Sequence, residues 1–362
     1  MGEKKEQEIL QDFQIDGLLL TSSPNMFFVA GFTGEGYVYI SHNRKVIVTD
    51  SRYTIAAKKE CPEYDVYERG KEGYYEKLLS CVREDQVKTL GFEDEVMTVN
   101  SYEKIQKEFS GQGMSDITLV PMKHKVSAMR SVKTEQEIEK IRLAEAIGDR
   151  AFSKILTKLK PGMTEKQVAA WLEFFMKEEG AEGFSFETIA ASGIHSAMPH
   201  GVPTDKVLEQ GDFLTMDFGC VYQGYCSDMT RTVVIGTASD RQRGVYETVL
   251  RAQERALQKI RPGLSGKEID AFARDLIVEE GYGKYFGHAL GHSVGIEIHE
   301  SPNFSPVEET VIQEGMVITV EPGIYIEDFG GVRIEDVVVV TKDGCENITH
   351  SPKELIEIIC EE

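Results

Sequence analysis

An internal repeat restricts the fold of this chain more than any other feature. Lys160–Trp171 (KPGMTEKQVAAW) matches Arg261–Phe272 (RPGLSGKEIDAF), and Glu178–Gly180 matches Glu279–Gly281 at the same offset. Each unit has a Pro-Gly turn, a Thr or Ser N-cap, a Gln or Glu three residues later, and a helix ending at Gly. The match continues into β-type runs. Gln210–Gly219 (QGDFLTMDFG) resembles Glu314–Gly323 (EGMVITVEPG), and Tyr225–Thr232 (YCSDMTRT) resembles Val332–Val339 (VRIEDVVV). Asp217 therefore corresponds to Glu321, and Asp228 to Glu335. Two like halves are expected, each of helices followed by a hairpin that carries two acids. A pseudo-twofold axis would bring both hairpins to one centre.

Four carboxylates at one centre need a reason to be there. In the first hairpin the turn signal is Tyr222-Gln223-Gly224. Folding about it brings Asp217 and Asp228 within roughly one residue of direct opposition, on one face. Anions set side by side in an apolar sheet repel and lose hydration. Solvated-face acids could account for one such pair, but not readily for two at matching places in a repeat. Two divalent cations would balance four carboxylates. A neutral ligand is available in Phe286–Glu300 (FGHALGHSVGIEIHE), which holds His288, His292 and His299. A lone histidine is more often a hydrogen-bonded core residue, but three beside a four-acid pattern point to chemistry. Oxygen donors with one imidazole suit Mn²⁺, or Co²⁺ and Fe²⁺ in its place, better than a thiolate-type zinc site.

The chain before the repeat alternates helical and strand patterns, as a small α/β domain would. It holds no glycine loop of the phosphate-cradling kind. Asp50–Tyr53 reads as a strand-to-helix turn, with lining a pocket as the lesser reading. A capping box at Thr134–Glu137 opens a long helix, so residues 122–133 form the expected linker. The domains are drawn at 1–124 and 125–362. With 41% hydrophobic residues the chain can build ordinary cores. No apolar run approaches the ~18 residues of a membrane helix. The polar start lacks the apolar stretch of a signal peptide and the pattern for myristoylation. Six scattered cysteines without Cys-x-x-Cys read as reduced thiols, so the protein is expected in the cytoplasm. A net charge of −21 disfavours nucleic acid and anionic membrane as partners.

Asp217-x10-Asp228, Gly291-His-Ser-Val-Gly295, Glu321-Pro-Gly323 and Val332-Arg-Ile-Glu335 resemble the metal-dependent pita-bread peptidases, among them aminopeptidase P, prolidase and methionine aminopeptidase. The likeness spans roughly residues 125–362. The preceding domain is similar to the creatinase-type N-domain of aminopeptidase P and prolidase, which methionine aminopeptidases usually lack. The resemblance implies an α/β N-terminal domain joined to an α+β pita-bread domain. It also implies two divalent ions, Mn²⁺ first and Co²⁺ second, that activate water against a peptide bond. Asp217 would bind one ion, His292 and Glu321 the other, and Asp228 and Glu335 would bridge them. His200, His299 and Glu321 take catalytic roles by the same resemblance; His288, Tyr325 and Arg333 would line the substrate. Arg333 has an equally weighted role as the partner of a nearby carboxylate.

The implied substrate is a peptide with proline second, and the implied assembly a homodimer. Between subclasses, an Xaa-Pro aminopeptidase is preferred to an Xaa-Pro dipeptidase. A dipeptidase must hold a free carboxylate, which suits arginine, and Asn303 stands where many short prolidases and some aminopeptidases have one. A non-catalytic peptide-binding module is the remote reading. Relatives of that kind keep the fold without the full ligand set, and all five ligand types are present here.

Overall fold

The computed structural model describes residues 2–70 and 73–359. The five described cysteines are free thiols; Cys360 and Met1 lie outside the described residues. Among the described residues no helix is long and apolar enough to cross a membrane. The chain divides into two compact units, Met1–Arg130 and Ser131–Glu362.

The first unit is built on a six-stranded mixed sheet. Its strand order is Asp65–Glu68, Lys45–Thr49, Gly36–Ser41, Gly17–Leu20, Thr89–Phe92, Thr118–Pro121. Side chains alternate across it, as a period of two requires. Leu18, Leu20, Val38 and Ile40 face one core, with Ile9, Met26 and Ala57 from covering helices. Leu19, Tyr37, Tyr39 and Leu90 face the other, under Leu78, Val82 and Phe109. Asp50–Tyr53 is a strand-to-helix turn, in which Arg52 pairs with Asp50 (2.7 Å) and Glu35 (2.6 Å). The expected linker is not a loop. Met122 and Val126, with the short helix Lys125–Ala128, pack into the first unit's core, which moves the division from 124/125 to 130/131.

The second unit shows the repeat in its backbone. Helices Glu135–Leu156 and Glu165–Glu178 cover the sheet of Ile189–Ser192, Phe213–Phe218, Met229–Ile235 and Glu357–Ile358. Helices Asp240–Leu257 and Gly266–Glu279 cover the sheet of Glu300–Phe304, Gly291–Ser293, Val317–Val320, Asp336–Val340 and Cys345–Asn347. Thr164 and Ser265 each complete a capping box. The loops that follow dock alike: Gly162 donates to the Leu208 carbonyl (3.0 Å), and Gly263 to that of Ile312 (3.1 Å). Isolated bridges Thr164–Val207 and Ser265–Val311 also correspond. A further cap pair, Thr134 and Ser239, opens the first helix of each half. The Ser239 box shows in the sequence as Ser-x-x-Gln but was not part of the expected pattern.

Candidate metal centre

The hairpin turn forms as its residues dictate. Gln223 and Gly224 both adopt positive φ (48° and 78°), the conformation of a tight two-residue hairpin turn, and Tyr222 pairs with Tyr225. The register of the acids differs from expectation. Asp217 lies opposite Thr230, two residues from Asp228 rather than about one. The ladder is interrupted at Gly219, where a Cβ would sit only 2.0 Å from the Ser227 carbonyl oxygen. Asp228 and Thr230 are two apart, so the offset keeps Asp228 on the side of Asp217. In the second hairpin Val320 pairs with Asp336 and Gly323 with Arg333, so Glu321, just past strand Val317–Val320, and Glu335, just before strand Asp336–Val340, fall at matching positions without the two-residue offset.

All four acids and His292 line one cavity of about 540 Å³. Donor atoms of Asp228, His292 and Glu335 lie within 4.8 Å of one another. His292 Nε2 is 3.4 Å from Asp228 Oδ2 and 3.4 Å from Glu321 Oε1. Its Nδ1 is 3.2 Å from the Ser293 carbonyl; a proton there leaves the Nε2 lone pair aimed at the acids. The carboxylates share a further pattern. Thr230 donates to Glu335 Oε2 (2.6 Å) and Arg333 to Asp217 Oδ2 (2.6 Å), while Glu335 Oε1 and Asp217 Oδ1 are buried without a partner among the described residues. One oxygen of each is held by protein and the other is left bare. Buried oxygens are rarely left so unless something absent from the protein chain satisfies them.

Electrostatics agree. Burial, then repulsion from Asp217 and Glu321, pushes the Asp228 carboxyl well above its ordinary range. Burial, then Asp228, does the same to Glu335. Glu321 is also raised, by burial against the relief given by His292 and Arg333. These acids resist sharing the site as anions until cations join them. Hard oxygens with one imidazole are the donor set of Mn²⁺-like ions.

The other expected residues divide. His200 and His299 line the cavity; the His299 ring meets that of His292 edge to face at 4.3 Å. His288, Tyr325 and Arg333 instead turn their polar atoms on one another. Arg333 donates to the Tyr325 hydroxyl (2.7 Å), to Thr230 (3.0 Å) and to Asp217. The Tyr325 hydroxyl lies 3.0 Å from His288 Nε2, and His288 Nδ1 is 2.7 Å from the Ala289 carbonyl. His288 and Arg333 reach the cavity wall, but Tyr325 is not among the lining residues. This geometry favours the ion-pair role for Arg333 over a substrate contact. Burial, then the Arg333 charge, lowers the His288 pKa to about 4, so its ring is neutral near pH 7.

Sequence reasoning did not find three supporting groups: Thr230, Thr319 and Glu145. Thr319 donates to Glu321 Oε1 (3.1 Å) and accepts from His292 N–H (3.0 Å). Buried Glu145 accepts from the Asp228 N–H (2.8 Å). A signal for Thr319 existed, since both halves place a threonine two residues before the acid.

The family model for metallopeptidase family M24 matches residues 139–342. That for the creatinase/prolidase N-terminal domain matches residues 4–132. The chain belongs to metallopeptidase family M24. An Xaa-Pro dipeptidase of Pyrococcus horikoshii is 39% identical over 98% of both proteins. An Xaa-Pro dipeptidase structure from Bacillus anthracis superposes with a TM-score of 0.93 at 43% identity, covering 99% of this chain and 100% of that one. An X-Pro aminopeptidase structure from Thermotoga maritima gives 0.90 at 40%, covering 98% and 99%. The M24 architecture is the pita-bread fold of the duplicated unit, preceded by a creatinase-type domain. As an M24 protein the chain is a peptidase-family hydrolase, and Asp228, His292 and Glu335 are grouped closely enough to hold a metal ion.

Proposed function

We propose that this M24 protein is a dinuclear-metal Xaa-Pro dipeptidase of the cytoplasm, acting as a homodimer. The observation that carries the chemistry is the set of bare oxygens and the Nε2 lone pair turned into one cavity. The dipeptidase reading, which displaces the expected aminopeptidase, is supported by relatives named as such at 39% and 43% identity. In this reading Asp217, Asp228, His292, Glu321 and Glu335 would hold two divalent ions, Mn²⁺ first and Co²⁺ second. Bound divalent ions supply water activation and carbonyl polarisation.

The chain's own residues do the rest. Arg333, tied to Tyr325 and Thr230, fixes Asp217. Thr319 fixes Glu321 and the His292 backbone. His200 and His299 make no hydrogen bond among the described residues, and they are free to donate to the scissile carbonyl or the terminal carboxylate. Desolvation, then His292, holds the His299 pKa below its ordinary value, so it is neutral and able to take a proton near pH 7. Glu321, with Oε1 held by Thr319, is the candidate for relaying a proton to the leaving amine.

The aminopeptidase reading keeps one observation of its own. Neutral Asn303 lines the cavity, and the arginine there is already paired. Metal-stripped protein refilled with Mn²⁺ or Co²⁺ should cleave Xaa-Pro dipeptides at least about 10-fold better in kcat/KM than Xaa-Pro-Yaa tripeptides. A preference for tripeptides would instate the aminopeptidase. Cleavage of neither would remove both readings.

A further inference from the structure

One carboxylate braces both ends of the loop that carries His200. Glu165, the first residue of helix Glu165–Glu178, has no exposed surface. Its Oε1 accepts from the Ser192 N–H (2.7 Å) and hydroxyl (2.9 Å). Its Oε2 accepts from the Thr204 N–H (3.0 Å) and hydroxyl (2.6 Å). His195 Nδ1 lies 2.9 Å from both oxygens. Ser192 and His195 precede His200, and Thr204 follows it. Burial alone would raise this carboxyl's pKa. The hydrogen bonds from Thr204, His195 and Ser192 outweigh it and hold the group below its ordinary value. It is an anion built into the loop's base.

The brace extends to His200 itself. A Cβ on Gly201 would lie 3.3 Å from His195 Nε2 and 2.9 Å from the Ala191 Cβ. The residue after His200 is thus seated against the ring that Glu165 holds. The other half of the repeat shows what Glu165 adds. Glu165 N–H donates to the Lys206 carbonyl (3.0 Å), and its counterpart Gly266 N–H donates to that of Thr310 (3.1 Å). The backbone docks both loops without a side chain. At Gly266 a Cβ would come 2.2 Å from the Asn303 carbonyl oxygen of strand Glu300–Phe304 and 2.6 Å from Glu308 Cγ of the loop, so both occupy the place of a side chain. The acid in that half is Glu308, on the loop itself, which accepts from the Thr310 N–H (2.9 Å) and the Asn303 N–H (3.4 Å); only in the half whose loop bears His200 does the acid sit on the helix and hold a histidine ring.

We propose that Glu165 is a positioning residue for His200, bracing residues 192–204 so that the imidazole stays in the cavity. The kinetic part of this rests on the peptidase reading of His200; the structural part does not. Glu165→Gln is nearly isosteric, but its amide turns two N–H donors on groups that are themselves donors. Hydrogen exchange should quicken in residues 193–206 and stay unchanged in residues 293–312. In the metal-loaded enzyme kcat should fall roughly 10- to 100-fold with bound metal and KM little altered. Glu165→Asp should restore part of the loss. Combined with His200→Ala, Glu165→Gln should cost nothing further, because both act through one group. Should Glu165→Gln not fold, Thr204→Val removes a single hydroxyl and carries the same readouts. Unchanged exchange in 193–206, loss of metal, or multiplying losses in the double variant would each overturn the proposal. If the parent protein hydrolyses no Xaa-Pro peptide, the peptidase reading fails, and exchange alone decides the brace.

Discussion

Arg333 Nη2 lies 2.6 Å from Asp217 Oδ2, and the remaining oxygen of Asp217 is buried with no partner among the described residues. The guanidinium is itself 3% exposed, so the pair is an interior one. Removing one member of such a pair strands a charge and typically costs ~3–5 kcal/mol. Arg333→Met should therefore destabilise metal-free protein by about 3 kcal/mol. With Mn²⁺ bound the loss should shrink, because the ion takes over the neutralisation of Asp217. Arg333→Lys keeps the charge but loses the fork to Thr230 and Tyr325, and should fall between. Urea unfolding with and without Mn²⁺ measures this; equal losses in both states would detach Arg333 from the metal acids.

Stability of the metal-free protein should fall as pH rises. Asp228 and Glu335 are raised by burial and then mutual repulsion, Glu321 by burial against the relief of His292 and Arg333, and burial raises buried Glu145 to about 8. Between the ordinary carboxylate range and these raised values the folded state holds more protons than the unfolded state. The stability they contribute is complete below the ordinary range and is lost as pH climbs through the raised values. Melting temperatures of stripped protein should drop from about pH 5 to about pH 8. Ligation needs deprotonated acids, so metal affinity rises over that window and binding releases protons. Glu145→Gln keeps an acceptor for the Asp228 N–H and should flatten part of the slope. A stripped protein whose stability rose with pH would contradict the raised carboxyls.

Thr230 touches Glu335 from across the two hairpins, donating at 2.6 Å to the oxygen opposite the bare one. It also accepts from Arg333 Nε (3.0 Å). Groups that orient a ligand in this way are typically worth about 10- to 100-fold in metal affinity or activity. Thr230→Val, nearly equal in volume, should weaken Mn²⁺ binding by about that factor in a competitive titration. Thr230→Ser should retain most of it. Equal affinity in the valine variant would show that Glu335 is held by other means.

Those acids were legible in the sequence, and Thr230's part was not, for a physical reason. Pro-Gly turns, capping boxes and acids inside β-type runs are local chemistry, so the repeat and its ligand types can be read along the chain. The contact from Thr230 to Glu335 spans 105 residues, and that from Asp228 to Glu145 spans 83; nothing local announces either. Glu165 stands in the repeated stretch between the cap residues Thr164 and Gln167 with nothing local to mark it, yet its side chain serves the loop beyond. Register differed by one because the turn is the two residues Gln223-Gly224 and not a loop centred on Gln223; the register that pairs Tyr222 with Tyr225 then sets Asp217 against Thr230. In the first unit the helix Ser23–Ala30 and the edge strands Asp65–Glu68 and Thr118–Pro121 carry no clear local pattern. The edge strands are partly exposed, so the buried-strand pattern is weak in them.

His288 offers a test of the opposite sign to the acids. Its Nδ1–H can donate to the Ala289 carbonyl only if Nε2 accepts from the Tyr325 hydroxyl, which fixes one neutral tautomer. Burial and the charges of Arg333 and Arg274 lower its pKa to about 4, against the ordinary value of 6.5. The unfolded state therefore takes up a proton before the folded one does. The stability this ring contributes is complete above the ordinary value and is lost as pH falls towards about 4. His288→Gln supplies a neutral donor and acceptor and should match the parent near pH 7 while losing less on acidification. His288→Phe leaves the Tyr325 hydroxyl and the Ala289 carbonyl without their partner, at about 1–3 kcal/mol for each group left unsatisfied. Comparing each variant with the parent at about pH 7 and about pH 5 cancels the carboxylate slope and isolates the imidazole. If the parent lost no more stability than His288→Gln on acidification, the ring would be charged in the folded state. The Arg333–Tyr325–His288 chain would then have to run through the other tautomer or through none.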